Sequence, residues 1–193
     1  DMLAQLNAVF ARMGSTLILK VALDDRPVSA ELKQYMEELA RLTDKLSIQL
    51  ISGGDHAPFV QVCRPDGTET GLAFHGVPGG HEFTSFVLGL YNAAGPGQPL
   101  DADVKAAIGS LPQRKMQVLV SLSCTMCPEL VTAAQRIAAE NKNVSAEVYD
   151  LTHFPDLRET YNVMSVPCLV IDEGRTVTFG KKNIRQLLDI LKE

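Results

Sequence analysis

Cys124 and Cys127, separated by Thr125 and Met126, are the residues of this chain best placed to do chemistry. They stand between the apolar run Val118–Leu122 and Pro128–Val131, where the pattern changes from strand to helix. A helix N-terminus offers unpaired N–H groups and a partial positive charge, and both favour a thiolate over a thiol. In motifs of this kind the first thiol's pKa falls from about 8.5 into a range of roughly 3.5 to 7.5. The second cysteine lies one helical turn on, close enough to attack a mixed disulfide and release its product. The expected chemistry is therefore thiol–disulfide exchange.

Two rival readings of the pair carry less weight. A structural zinc site recruits two ligand pairs, and here there is one. Cys63, Cys168, His56, His75, His81 and His153 all stand alone in the sequence, so no metal site is expected. A structural disulfide across two residues closes too short a loop to stabilise much.

The elements that must position the pair follow from periodicity. Leu130, Val131, Ala134, Ile137 and Ala138 recur at helical spacing and predict a helix over Pro128–Asn141. Val144–Tyr149 reads as a strand, Asp156–Tyr161 as a short helix, and Val163–Ile171 as an apolar strand opening at Pro167. Proline cannot donate to a sheet ladder and belongs at such a start. Glu173-Gly174 reads as a turn into Thr176–Phe179, and Ile184, Leu187, Leu188 and Leu191 line a final helix. The order over residues 116–193 is β-α-β-α-β-β-α. That order, with Val166-Pro167 downstream of the cysteines, resembles the thioredoxin fold. The resemblance implies a cis bond at Val166-Pro167, lying against the cysteines, with the Val166 backbone offered to an extended substrate.

The preceding residues repeat the pattern. Thr16–Leu23 reads as a strand; Leu32, Tyr35, Met36, Leu39 and Leu42 mark a helix; Leu46–Ile51 and Ala57–Val62 are strands, the latter opening at Pro58. Pro65-Asp-Gly67 turns into Gly71–Phe74, and Phe83, Phe86, Val87 and Leu90 line a closing helix. Where the second copy has its cysteines, the first has Leu23-Asp-Asp-Arg-Pro27. The expected class is α/β, two tandem thioredoxin-like folds with central mixed sheets flanked by helices. The expected division is a lobe without the cysteine pair over 1–95, a linker with a connecting helix (Asp101–Ser110) over 96–115, and the redox lobe over 116–193.

The tandem of one inert and one active lobe resembles the N-terminal domain of the alkyl hydroperoxide reductase F protein. Local runs carry the resemblance: Leu23-Asp-Asp25 with Ser29-Ala-Glu31, Gly80-His-Glu-Phe-Thr-Ser85, Ser121–Pro128 and Asn162-Val-Met-Ser-Val-Pro167. It implies that Cys124 is the exposed nucleophile and Cys127 the resolving thiol. Thr125, Met126, Val166 and Pro167 then contact substrate, and Glu82 reaches the cysteines from the inert lobe. Spacing alone reads Glu82 as a solvated first-turn carboxylate favoured by the helix dipole. The family's usual His-Asn between the cysteines is here Thr125-Met126, which removes an imidazolium from beside the first thiol. The implied partner is a peroxiredoxin, and the implied electron source is a flavin- and NAD(P)H-dependent reductase, in cis or in trans.

No G-x-G-x-x-G follows a strand, so neither FAD nor NAD(P)H is expected on this chain itself. The balance of 18 basic against 23 acidic residues, net −5, has no Lys/Arg-rich run, which argues against nucleic acid. Apolar stretches are strand-length, far short of the roughly twenty residues that cross a bilayer. The absence of an export-type run predicts a cytoplasmic protein, where a paired CxxC is catalytic rather than a scaffold. Cys168 is expected as a small buried hydrophobe and Cys63 as a spare thiol exposed at a strand end. Two other classes stay open: a general protein-disulfide reductase or isomerase, and a non-catalytic docking module.

Overall fold

Leu17 and Leu19 alternate with the less buried Ile18 and Lys20, as a strand covered by helices on one face requires. The computed structural model describes residues 1–193. In chain order the elements are α1 (Met2–Arg12), β1 (Leu17–Leu23), α2 (Pro27–Ala40), β2 (Leu46–Ser52), β3 (Phe59–Cys63), β4 (Glu69–His75), α3 (Phe83–Ala94) and α4 (Ala102–Gly109). They continue with β5 (Arg114–Val120), α5 (Cys127–Glu140), β6 (Val144–Asp150), α6 (Pro155–Thr160), β7 (Cys168–Ile171), β8 (Thr176–Phe179) and α7 (Ile184–Leu191). Single 3-10 turns, Gly80–Glu82 and Asp172–Gly174, precede α3 and β8.

The strand order is β2-β1-β3-β4-β6-β5-β7-β8. Each half pairs its strands identically: the first strand is parallel to the second and antiparallel to the third, which is antiparallel to the fourth. The halves are continuous with each other because β4 pairs in parallel with β6, from Leu72 opposite Ala146 to His75 opposite Tyr149. That register makes β1 and β5 run in the same direction, so both first strands end at one edge of the molecule. On one sheet face a single apolar cluster joins Leu19, Met36 and Leu90 of the first half to Leu130, Ile137 and Leu188 of the second. On the other face a smaller cluster gathers Leu119, Tyr149, Phe154 and Cys168.

Several boundaries differ from the sequence expectation for local reasons. α2 starts at Pro27, upstream of the first periodic leucine, because proline's preset φ and missing N–H suit a first helical turn. By contrast, β7 starts at Cys168, directly after the proline where the strand was expected to open, and upstream Val163 N–H bonds to the Arg158 carbonyl at 2.9 Å. α1 lies outside the elements read from the sequence. The Asp1 side chain caps it by accepting from Leu3 N–H at 3.2 Å, and Leu6 and Phe10 bury its inner face.

The first half fills the position of the cysteine pair with a brace. Arg26 Nη2 donates to the carbonyl of Ala57, the residue before Pro58, and Nη1 donates to the His153 carbonyl of the second half at 2.8 Å. The guanidinium is held by Asp24 at 3.0 Å and lies 5.3 Å from the centre of the Phe154 ring. Cys63 corrects its expectation: it closes β3 fully buried, opposite Ile18 of β1, its thiol turned toward the Gln61 carbonyl. Cys168 is buried, as expected, in the smaller cluster.

Candidate functional site

β5 delivers the chain to the site and α5 carries it away. After Val120 the backbone tightens, with Cys124 N–H donating to the Ser121 carbonyl at 3.1 Å, and α5 begins at Cys127 with Pro128 in its first turn. This places the two thiols unequally. Cys124 is half-buried at the rim, flanked by exposed Thr125 and by Met126, which is 53% exposed. Cys127 is 0% exposed and belongs to the main apolar cluster. Burial pushes the Cys127 thiol well above the ordinary range, and hydrogen bonding to Cys124 and the charges of Cys124 and Glu82 add to it.

The loop before β7 closes over the first thiol. The Val166-Pro167 bond is cis, as the resemblance implied, and so are Ala57-Pro58 and Gly95-Pro96. The Cys124 thiol points to the Val166 carbonyl oxygen at 3.9 Å, so the two expected substrate-contacting segments meet. Pro167 is buried, Val166 half-buried, and Met164 just upstream is 79% exposed.

The inert half reaches the same place through Gly80–Glu82. His81 N–H donates to the Leu122 carbonyl at 3.0 Å, which ties this turn to the loop carrying the cysteines. Gly80 has φ +52°, and a Cβ there would stand 2.8 Å from the Leu122 carbonyl oxygen, so glycine is what permits the approach. Glu82 is 0% exposed, and the solvated carboxylate read from spacing is corrected: the 3-10 turn rotates it inward, under the Leu122 segment. Burial pushes its carboxyl up to about 7, against the lowering effect of a hydrogen bond from Ser85 Oγ to Oε1 at 2.6 Å. Glu82 Oε2 is buried with no hydrogen-bond partner.

Sequence reading did not single out Ser85, whose hydroxyl holds this carboxyl, or Gln135, which holds Ser85. Gln135 Nε2, on α5, donates to the Ser85 carbonyl at 2.8 Å. A Cβ at Gly89 would come within 2.8 Å of that amide, so only glycine leaves it room. The available signal was the Gly80–Ser85 run itself, which places a hydroxyl three residues after the acid.

No group of three or more His, Cys, Asp and Glu is arranged to hold a metal ion. The N–H groups that follow the Gly79-Gly80 segment bond the Leu122 and Gly79 carbonyls. The largest cleft, about 1080 Å3, lies at the opposite end of the sheet among Arg64, Lys115, Lys142 and Glu173, and contains no thiol. No helix is long and apolar enough to cross a membrane.

The thioredoxin domain family matches over residues 114–191, the stretch carrying the cysteines. A crystal structure of the NTD_N/C domain of alkylhydroperoxide reductase AhpF from Enterococcus faecalis superposes with a TM-score of 0.93 and 37% identity, covering 98% of this chain and 97% of that one. The chain belongs to the alkyl hydroperoxide reductase F family. The F protein of the Pseudomonas aeruginosa alkyl hydroperoxide reductase is 32% identical over 95% of this chain, and a protein named NADH dehydrogenase from Ferdinandcohnia aciditolerans is 30% identical over 96%. The chain spans 35% of the length of each of those two relatives. The similarity to this N-terminal domain covers both halves, the one with the cysteine pair and the one without it.

Proposed function

We propose that this chain is the dithiol–disulfide relay module of an alkyl hydroperoxide reductase F-like system. Electrons reach it by disulfide exchange from a reductase portion carrying FAD and using NAD(P)H, and leave it for the disulfide of a peroxiredoxin. The active lobe is residues 116–193, the inert lobe 1–95, and 96–115 joins them. A cytoplasmic setting, where thiols are kept reduced, suits a dithiol that must be recharged.

The observation that carries this reading is the unequal placement of the thiols: Cys124 at the rim against the Val166 carbonyl, Cys127 buried beneath it. Cys124, as thiolate, attacks one sulfur of the partner's disulfide; a Cys124–partner bond forms and the partner's other sulfur leaves as thiolate. Val166 offers its backbone to the partner strand, while Pro167, Thr125 and Met126 shape the surface around it. Cys127 then gives its proton to Glu82, attacks Cys124, and expels the second partner thiolate. The partner gains two electrons, and Cys124–Cys127 becomes the disulfide.

The test is single-turnover reduction by the pre-reduced protein. It should reduce a peroxiredoxin disulfide much faster than insulin. Equal rates on both would favour a general protein-disulfide reductase. Reduction of neither would leave a docking module.

A further inference from the structure

The carboxyl of Glu82 is poised by one neighbour. We propose that Ser85 is the positioning residue of this site, holding Oε1 of Glu82 by its hydroxyl so that proton exchange with the thiols runs through Oε2 alone. The inference rests on the dithiol reading above and extends it to a residue that does not itself touch sulfur.

The geometry fixes the roles. A serine hydroxyl has one proton to donate. Two acceptors lie in reach of Ser85 Oγ: Glu82 Oε1 at 2.6 Å and the Glu82 backbone carbonyl at 3.0 Å. An ionised carboxylate is the stronger acceptor and the contact to it is the shorter, so with Glu82 charged the proton goes to Oε1. When Oε2 takes a proton, Oε1 becomes an ordinary carbonyl oxygen and the hydroxyl can fall back on the backbone. The hydrogen bond therefore favours the charged form and opposes the burial of Glu82.

The surroundings leave this task to Ser85. Cys127 at the start of α5 is close enough for the charge of Glu82 to raise its thiol. Tyr35 on α2 packs against Gly79 and Phe83, and His81 lies exposed beside the turn. Burial and Ser85 are the two influences on the carboxyl. Ser85, on α3, is itself buried, and its carbonyl accepts from Gln135 of α5, so the residue that holds Glu82 is tied to the helix that carries Cys127.

The experiment follows the Glu82 carboxyl by carbon NMR across pH and, separately, the pH profile of disulfide exchange. Ser85→Ala should move the carboxyl midpoint up by about one pH unit or more, the effect of losing a hydrogen bond to a charged group. Exchange at pH 7 should then slow by about fivefold, recovering at higher pH. Ser85→Cys, which keeps the volume and substitutes a weak donor, should move the midpoint in the same direction. Ser85→Thr, which restores a hydroxyl, should return both readouts to the wild-type values. An unmoved midpoint in the Ala and Cys variants, or a folded Thr variant matching Ala, overturns the proposal. Wild-type protein inert toward every disulfide would instead overturn the dithiol reading, while the carboxyl titration would still decide the role of Ser85.

Discussion

His75 and Tyr149, directly opposite on the parallel strands β4 and β6, stack with ring centroids 4.0 Å apart and planes 10° from parallel. The stack sits on the join between the two halves. The imidazole is 3% exposed, with Nδ1 2.8 Å from the His56 carbonyl oxygen and Nε2 2.8 Å from Glu147 Oε1. A polar ring buried at a seam must find partners on both sides, and here each half supplies one.

Glu147 is the acidic side of that contact. Burial would raise its carboxyl, but the hydrogen bond and charge of His75, together with the charges of Lys115 and His56, hold it below 4.5. A depressed folded value means that stability is present above the unfolded value and lost as pH falls through the folded one. The advantage of wild type over Glu147→Gln in urea unfolding should therefore be constant down to about pH 4.5 and shrink below it. His75→Leu should cost about 2–3 kcal/mol at pH 7, less than for a fully buried pair because Glu147 keeps some solvent contact. A constant difference down to pH 3 would show that this pair does not stabilise the join.

The thiol roles separate by trapping. Cys124→Ser should reduce disulfide reduction to background. Cys127→Ser should accumulate a mixed disulfide with the partner, visible on a non-reducing gel, because only the resolving step is lost. The band appearing with Cys124→Ser instead would reverse the two roles.

Burying Glu82 should cost stability in a defined pH window. Its folded carboxyl value of about 7 lies above the ordinary 4.5, so the unfolded chain releases its proton first as pH rises. Wild type should thus lose stability between about pH 4.5 and 7 relative to Glu82→Gln, reaching a gap of about 3 kcal/mol above pH 7. The same substitution should slow exchange, since the proton acceptor is gone, and lower the Cys127 thiol by removing a nearby negative charge. Thiol titration and denaturant melts together check this; a variant that is slower but no more stable at pH 8 would place Glu82 outside the buried site.

Gly80→Ala tests the contact that brings the inert half to the cysteines. A side chain at φ +52° facing the Leu122 carbonyl at 2.8 Å must displace backbone, which should cost about 1–3 kcal/mol and weaken the His81–Leu122 bond. Amide exchange at His81 should accelerate in the variant. Unchanged protection there would mean that the two loops are not coupled.

The cysteine pair and its flanking elements were legible because they obey local rules. Spacing marks the thiols, a 3.6-residue period marks α5, and Pro167 marks the entry to β7. The β4–β6 join was not legible, because alternation says which face a residue takes and not which strand lies beside it. Glu82 was hidden for a related reason: an acidic residue at a helix start is ordinarily solvated, and its burial depends on Gly80 meeting Leu122, distant in sequence. Cys63 misled because a strand end adjoining Arg64-Pro-Asp-Gly67 looks exposed, whereas the residue is buried, opposite Ile18 of β1.

Arg26 has a consequence for how partners can engage the molecule. A duplicated cradle would in principle grip two strands, one against the residue before each strand-opening proline, and linked sites of that kind gain strength from each other. In the first half the Ala57 carbonyl already accepts from Arg26, while in the second the Val166 carbonyl faces only the Cys124 thiol. Of the two carbonyls that precede a strand-opening proline, the one in the first half is therefore occupied by a side chain and the one in the second is left to the thiol, so an extended segment pairing with both at once would have to displace Arg26.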